Sequence, residues 1–170
     1  LNLPMGSSVK DMLGFEHKRF APPALNRMHA TANWFEEVDT PAANDFKKRW
    51  HAKFPNEPYI NDMAYNAYNP LYMYKTMVEK AKSTKLADIR KVIAAGEACI
   101  EAAEGKVCIG PKRQHASHEM RLIAVDEKHN VKVLKDYGTI QPYWLGKIGC
   151  DLTKKNDRKQ YTPSDLPKKL

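Results

Sequence analysis

Residues 104–134 read EGKVCIGPKRQHASHEMRLIAVDEKHNVKVL, one cysteine and three histidines among short alternating runs. Two readings compete, a metal site or a set of strands that carry metal-capable side chains. Met120 to Asp136 alternates around the polar cluster Asp126 to Asn130, the pattern of a β-hairpin. His115 and His118 are three residues apart, a spacing that a metal can use, but no third ligand stands at a recognisable distance and Cys108 is seven residues from His115. The strand reading is therefore preferred, with the histidines in the loop beside the strands.

Upstream, Ala98 to Ile109 reads as two strand halves around Ala103-Glu104-Gly105. Cys99 and Cys108 are equidistant from the centre of that turn, so in a two-stranded ribbon they face each other at disulfide distance. Cys150 is then free or pairs with another chain. Three cysteines in 170 residues favour an oxidising compartment only weakly.

Helical signals fill the middle of the chain. Leu86 to Ala95, with Leu86, Ile89 and Ile93 inward, stops at Gly96, a common helix terminator. Asn61 to Lys82 keeps helical spacing at Ala64, Ala67, Tyr68, Leu71, Tyr72 and Val78, and Pro70 inside it is expected to kink or split the helix. Asp39-Thr40-Pro41 marks a helix start, since Thr40 can cap and Pro41 loses nothing at the first helical position. Phe46, Trp50 and Phe54 then form an apolar stripe that Pro55 ends. Met28 to Phe35 reads as a strand. Leu1 to Met5 reads as a strand leading into a helix through Leu13, opened by Ser8 and Asp11 in a capping-box arrangement. The chain begins Leu1-Asn2-Leu3-Pro4 without a methionine, which leads us to expect a processed or cut N-terminus.

Composition limits the function classes. The 170 residues suit one domain or two small lobes. No run approaches the roughly 20 apolar residues needed to span a bilayer, and no signal-peptide pattern opens the chain. The net charge of +8 lies largely in the tail, at Lys147, Lys154, Lys155, Arg158, Lys159, Lys168 and Lys169, without an aromatic-lined basic strand or recognition helix. A solvated surface or docking tail accounts for it better than nucleic-acid binding. No nucleophile with a base, no pair of acids at meaningful spacing and no phosphate loop points to an enzyme.

The ordered segments VDTPAANDFKKRW (38–50), AYNAYNPLYMYKTMVEKAKS (64–83), Glu104-Gly105-Lys106-Val107, Gln114 to His118, and the hairpin reaching Ile140-Gln141-Pro142 together resemble the C-terminal half of type I periplasmic binding proteins. The opening LPMGSSVKDML (3–13) resembles that family's late second-lobe strand and helix. The resemblance is nearest to the urea and short-chain amide branch of ABC-importer receptors, relatives of the branched-chain amino-acid binding proteins, and covers about residues 1–145.

The resemblance implies a partial type I periplasmic-binding-protein fold of class α/β, with parts of two Rossmann-like lobes joined by crossover strands. Residues 1–32 would belong to the second lobe and 33–38 to a crossover. Residues 39–110 would belong to the first lobe, with a third crossover near its end; 111–140 would form the terminal hairpin of the second lobe and 141–170 a basic tail. It implies an exported, periplasmic receptor that binds urea, a short-chain amide or an amino acid without a cofactor. Ser7 would donate a hydroxyl, Asn33 would pair with an amide, and Trp34 or Tyr65 would wall the ligand. The family's N-terminal half has no counterpart here, and Pro70 and the tail depart from its pattern. The expected partners are that missing half, a small polar solute, and an ABC permease or another protein complex. Two other uses of the fold are an accessory subunit of a larger complex and a cytoplasmic amide-sensing regulator.

Overall fold

The computed structural model describes residues 5–7, 16–56 and 59–154. Strand β5 (Ala116–Val125) organises it, because three other strands pair with it. The path runs from β1 (Met5–Ser7) through β2 (Met28–Ala32) to β5, then to β4 (Gly105–Ile109) and β3 (Cys99–Ala102), while β6 (Val131–Ile140) pairs with β5 off this path. β1 and β2 are parallel, with Met5 opposite Met28, and all other pairings are antiparallel. A parallel pair requires a crossover between its strands. The helix expected at Ser8 to Leu13 falls in that interval, outside the described residues.

The predicted hairpin is present, and its strands extend beyond Met120 and Asp136 to Ala116 and Ile140. β6 bears two register shifts against β5, and Gly138 adopts a φ of 64°, which a side chain would strain. Asp136 Oδ1 accepts the Gly138 amide hydrogen there. Bulges and the exposed Lys132 and Lys135 keep β6 from acting as a template for another strand. The β3–β4 turn is tight: Ala102 pairs with Gly105, and Cys99 pairs in register with Cys108, to which it is disulfide-bonded. Gly105 has a φ of 127°, and a Cβ there would lie 2.8 Å from Glu119 Cγ. Cys150 is a free thiol.

Helix α1 (Pro41–Lys53) begins as its sequence predicts, with Thr40 Oγ1 accepting from the Ala43 amide at 3.0 Å. Phe46 is buried and Trp50 packs against the core, whereas Phe54, past the helix end, is largely exposed. Helix α2 (Asp62–Ala81) starts at Asn61, whose side chain accepts from Ala64, and runs unbroken through Pro70. The proline costs one main-chain hydrogen bond, and its ring lies on the exposed side, so the expected split does not occur. The buried stripe of α2 is Tyr65, Met73 and Met77; Leu71, expected inward, is 69% exposed. In α3 (Leu86–Ala94), Ile89 and Val92 are buried and Ile93 is partly covered, but Leu86 faces solvent. Gly96 follows with a φ of 74°. These shifts share a cause: each helix is covered on one side only, and the width of that cover decides which members of a periodic set are buried.

The expected basic tail begins as folded structure. A short helix α4 (Tyr143–Lys147) buries Leu145, Arg113 donates to the Pro142 carbonyl, and the Leu152 amide donates to Lys112. Among the described residues no helix is long and apolar enough to cross a membrane.

The hairpin turn is held by Asp126, whose carboxylate accepts from the amides of Asn130 and Lys128, each at 2.9 Å. These bonds, that from Asn130 foremost, lower its carboxyl pKa to about 2. A folded pKa below the unfolded value of about 3.9 gives stability that is present above pH 4 and lost as pH falls towards 2. Asp126→Ala should lower the melting temperature at pH 6. The difference from wild type should close between about pH 4 and pH 2, as followed by circular dichroism; a difference independent of pH would refute the role of the charge.

Candidate functional site

Four segments converge on one buried carboxylate. Glu104, in the β3–β4 turn, is 1% exposed. Asn33 follows β2, Tyr65, Asn66 and Asn69 lie in the first half of α2, and His118 and Arg121 come from β5. Asn33 Nδ2 donates to Glu104 Oε1 at 3.0 Å and to Asn66 Oδ1 at 2.9 Å. The Tyr65 hydroxyl donates to Glu104 Oε1 at 3.2 Å and accepts from the Glu104 amide at 3.1 Å. His118 Nδ1 stands 3.1 and 3.0 Å from the two carboxylate oxygens. Arg121 spans the outside of the cluster, donating to the main-chain oxygens of Asn33 (2.9 Å) and Glu104 (3.2 Å), and pairs with Asp136 at 3.1 Å.

A carboxylate out of water costs several kcal/mol unless hydrogen bonds and charge replace hydration; here a carboxamide, a phenol and an imidazole do so. Burial first, and the charge of Glu104 second, push the Tyr65 hydroxyl well above the ordinary tyrosine range, which keeps it a donor.

Beside this cluster lies a cavity of about 580 Å³. Asn33, Asn66, Asn69 and His118 supply its polar groups, and Met73, Met77, Ile100, Val107, Ile109 and Met120 much of its apolar wall. Helical spacing puts Met73 and Met77 together, and strand alternation does the same for His118 and Met120. Asn69 Nδ2 is buried beside the Tyr65 hydroxyl. A second cavity, of about 380 Å³, has Tyr65, Tyr68, Tyr72 and Arg49 in its lining, and Arg49 donates to the Tyr68 hydroxyl at 2.7 Å. The first arrangement is suited to binding, combining directional polar groups at one end with apolar surface at the other.

The four sequence-predicted residues separate. Asn33 lines the larger cavity and Tyr65 stands behind it in the Glu104 network. Trp34 lines neither cavity: it is completely buried, stacked on Tyr65 at 4.6 Å and edge-on to Phe46 at 5.5 Å, because the crossover carries it under α1 and α2. Its role is packing, not a ligand wall. The Ser7 side chain lies outside the described residues.

Glu104, Asn66 and Asn69 were not singled out by sequence, and His118 was weighed there only as a metal ligand. His118 is a strand residue paired with Glu104 rather than part of a loop, and His115 sits against the Trp144 ring. His129 is structural: Nε2 accepts from the Leu25 amide and Nδ1 donates to the His17 carbonyl. Among the described residues no group of three histidine, cysteine or acidic side chains is placed to hold a metal ion. The available signals were an acidic residue between an alanine and a glycine at a tight turn, and two asparagines inside a helix, where asparagine is disfavoured.

Glu104→Ala would leave the Asn33 amide, the Tyr65 hydroxyl and the His118 ring without their acceptor. At about 1–3 kcal/mol for each buried unsatisfied group, the loss in urea denaturation should reach about 3 kcal/mol or more. Glu104→Gln, which keeps the shape and one acceptor, should lose less than half as much. Equal losses would show that shape, not hydrogen bonding, is what Glu104 supplies.

A family model described as periplasmic binding protein matches residues 8–130 of this chain. No curated protein sequence matches it. Among solved structures, the leucine-, isoleucine-, valine-, threonine- and alanine-binding protein of Brucella ovis, in a closed conformation, superposes with a TM-score of 0.67 at 14% identity, over 84% of this chain and 39% of that one. An amino acid ABC transporter substrate-binding protein of Pseudomonas fluorescens Pf-5 gives 0.65 at 15% identity, over 86% of this chain and 39% of its own. A solute-binding protein of an ABC transporter from Rhodopseudomonas palustris HaA2, solved with p-hydroxybenzoic acid, gives 0.56 at 23%, over 72% of this chain and 33% of its own. The chain thus spans well under half the length of these structures, and the likeness establishes the mixed α/β fold. With the family model matching most of its length, the chain belongs to the periplasmic binding protein family.

Proposed function

We propose that this chain is the C-terminal part of a solute-binding receptor for an ABC importer, working outside the cytoplasmic membrane with a permease. The receptor takes a small solute, an amide, urea or an amino acid, into a cleft between two lobes. The observation that carries this reading is the cavity beside Glu104, polar at one end and apolar along its length, in a chain of the periplasmic binding protein family. Its polar groups come from the end of β2, from α2 and from β5.

In this reading residues 1–32 and 111–140 belong to one lobe, 39–110 to the other, and 33–38 cross between them. The Arg121 bonds to Asn33 and Glu104 tie the crossing to the β3–β4 turn. A companion segment supplies the rest of the cleft. The relatives are more than twice as long as their matched portion, and Met63, Leu71, Tyr74 and Leu86 leave apolar surface uncovered on α2 and α3.

Native and denaturing mass spectrometry of the purified protein tests the assembly, and calorimetry with acetamide, urea and leucine tests the solute. A companion chain of about 200 residues, by the relatives' proportions, and saturable binding of one solute are expected. A solitary chain that binds none of them would reject the receptor reading and favour a non-transport interaction subunit.

A further inference from the structure

We infer that α4, the loop 110–115 and residues 148–154 form a peripheral membrane contact, which seats Tyr143 and Trp144 among the headgroups of an anionic phospholipid bilayer while the surrounding lysines face its phosphates. The inference goes beyond the receptor reading and does not depend on the solute cavity.

Local folding decides which side chains this surface presents. Leu145 is the buried residue of α4, and its neighbours Tyr143, Trp144 and Lys147 are exposed. The Cys150 amide donates to the Leu145 carbonyl at 2.9 Å and the Leu152 amide to the Lys112 carbonyl at 2.7 Å, which folds the segment after α4 back beside the loop 110–115. Arg113 of that loop donates to the Pro142 carbonyl and lies across Gly146 so closely that a Cβ there would overlap its guanidinium. The His115 ring stands edge-on to Trp144 at 6.5 Å. Ile140, at the end of β6, and Tyr143, Trp144 and Leu152 are left 44–55% exposed. α4 and the residues after it lie beyond the 8–130 matched to the family, and are distinct from the apolar surface of α2 and α3 assigned above to the companion segment.

Charge and side-chain type then select the occupant. The loop 110–115 and residues 141–170 hold nine basic and three acidic side chains, so six of the eight net positive charges of the chain fall in these two segments. Within the folded part the acid is Asp151, which accepts from the Thr153 amide. Lys112, Lys147 and Lys154 are exposed, and ammonium groups on long stems suit a diffuse layer of negative charge better than one fixed anion. Tryptophan and tyrosine combine an apolar ring with a polar edge, the property that places them at the level of lipid headgroups. Half-exposed aromatic rings ringed by lysines have the composition of an interfacial segment, in which apolar insertion and attraction to anionic lipid add together.

The test is sedimentation of the full chain, with its companion if one copurifies, with vesicles of phosphatidylcholine alone or containing about a third phosphatidylglycerol. Wild type should bind the anionic vesicles at least about tenfold more tightly, with a blue shift of tryptophan emission, and release as salt rises from about 0.05 to about 0.5 M. Trp144→Ala should weaken binding about fivefold or more and remove the shift, with an unchanged melting temperature. The triple variant Lys112→Glu, Lys147→Glu, Lys154→Glu should abolish binding, whereas Lys48→Glu, Lys53→Glu, Lys85→Glu, which changes net charge equally on other exposed surface, should leave it within about threefold. Equal losses in the two triple variants would overturn the inference by showing that net charge alone acts. Wild type that ignores anionic vesicles would overturn it, as would binding to soluble polyglutamate as tight as to vesicles, which would point to an acidic protein instead. Since no solute is present, each of these failures leaves the receptor reading standing.

Discussion

Taking one carboxylate out of water constrains much of this molecule. Glu104 sits in a two-residue turn with almost no exposure, and every group that makes this tolerable comes from a different part of the chain. Asn33 reaches it from the end of β2, Tyr65 from α2 and His118 from β5, while Arg121 clamps the main chain of both Asn33 and Glu104. Such a network is stable only when all its members are present, because each unmatched partner would itself be a buried polar group. The turn, the crossover and the helix are therefore fixed relative to one another by polar satisfaction as well as by packing.

Around that fixed point the apolar contacts are ordinary in kind. Trp34, Tyr65 and Phe46 form a ring cluster in which stacking and edge contacts add about 0.5–1.5 kcal/mol per pair to area burial. The cluster sits where the crossover, α1 and α2 meet, so it rigidifies the site from behind. The disulfide between Cys99 and Cys108 holds the β3–β4 ribbon that carries Glu104 at its turn. Rigid support thus stands next to an adaptable methionine wall, a combination suited to a small-molecule site.

Local features were legible from the residues alone. The Thr40 cap, the Asn61 start of α2, the turn at Asp126 to Asn130 and the pairing of Cys99 with Cys108 were all readable because each is decided within about ten residues, by hydrogen bonds and torsions that the local sequence dictates. Asn33, named for its place in the crossover that the resemblance implies, lines the larger cavity. Trp34 was misjudged because its aromatic surface suits a ligand wall and a core equally, and only the position of α1 and α2 distinguishes the two. Glu104 was missed because an acidic residue in a tight turn is normally solvated, and nothing nearby in sequence announces the partners that bury it.

The sequence by itself determined where the main helices begin, which strands form hairpins and which cysteines can meet, since these follow from short-range sterics and hydrogen bonding. It also carried the ordered segments by which the family can be recognised. The tertiary structure alone decided that α2 buries Met73 and Met77 while exposing Leu71, that Pro70 leaves the helix whole, and that Glu104 and His118 become a pair at the edge of a cavity. Burial is a property of what lies across from a residue, and for Glu104 the partners stand up to 71 residues away along the chain.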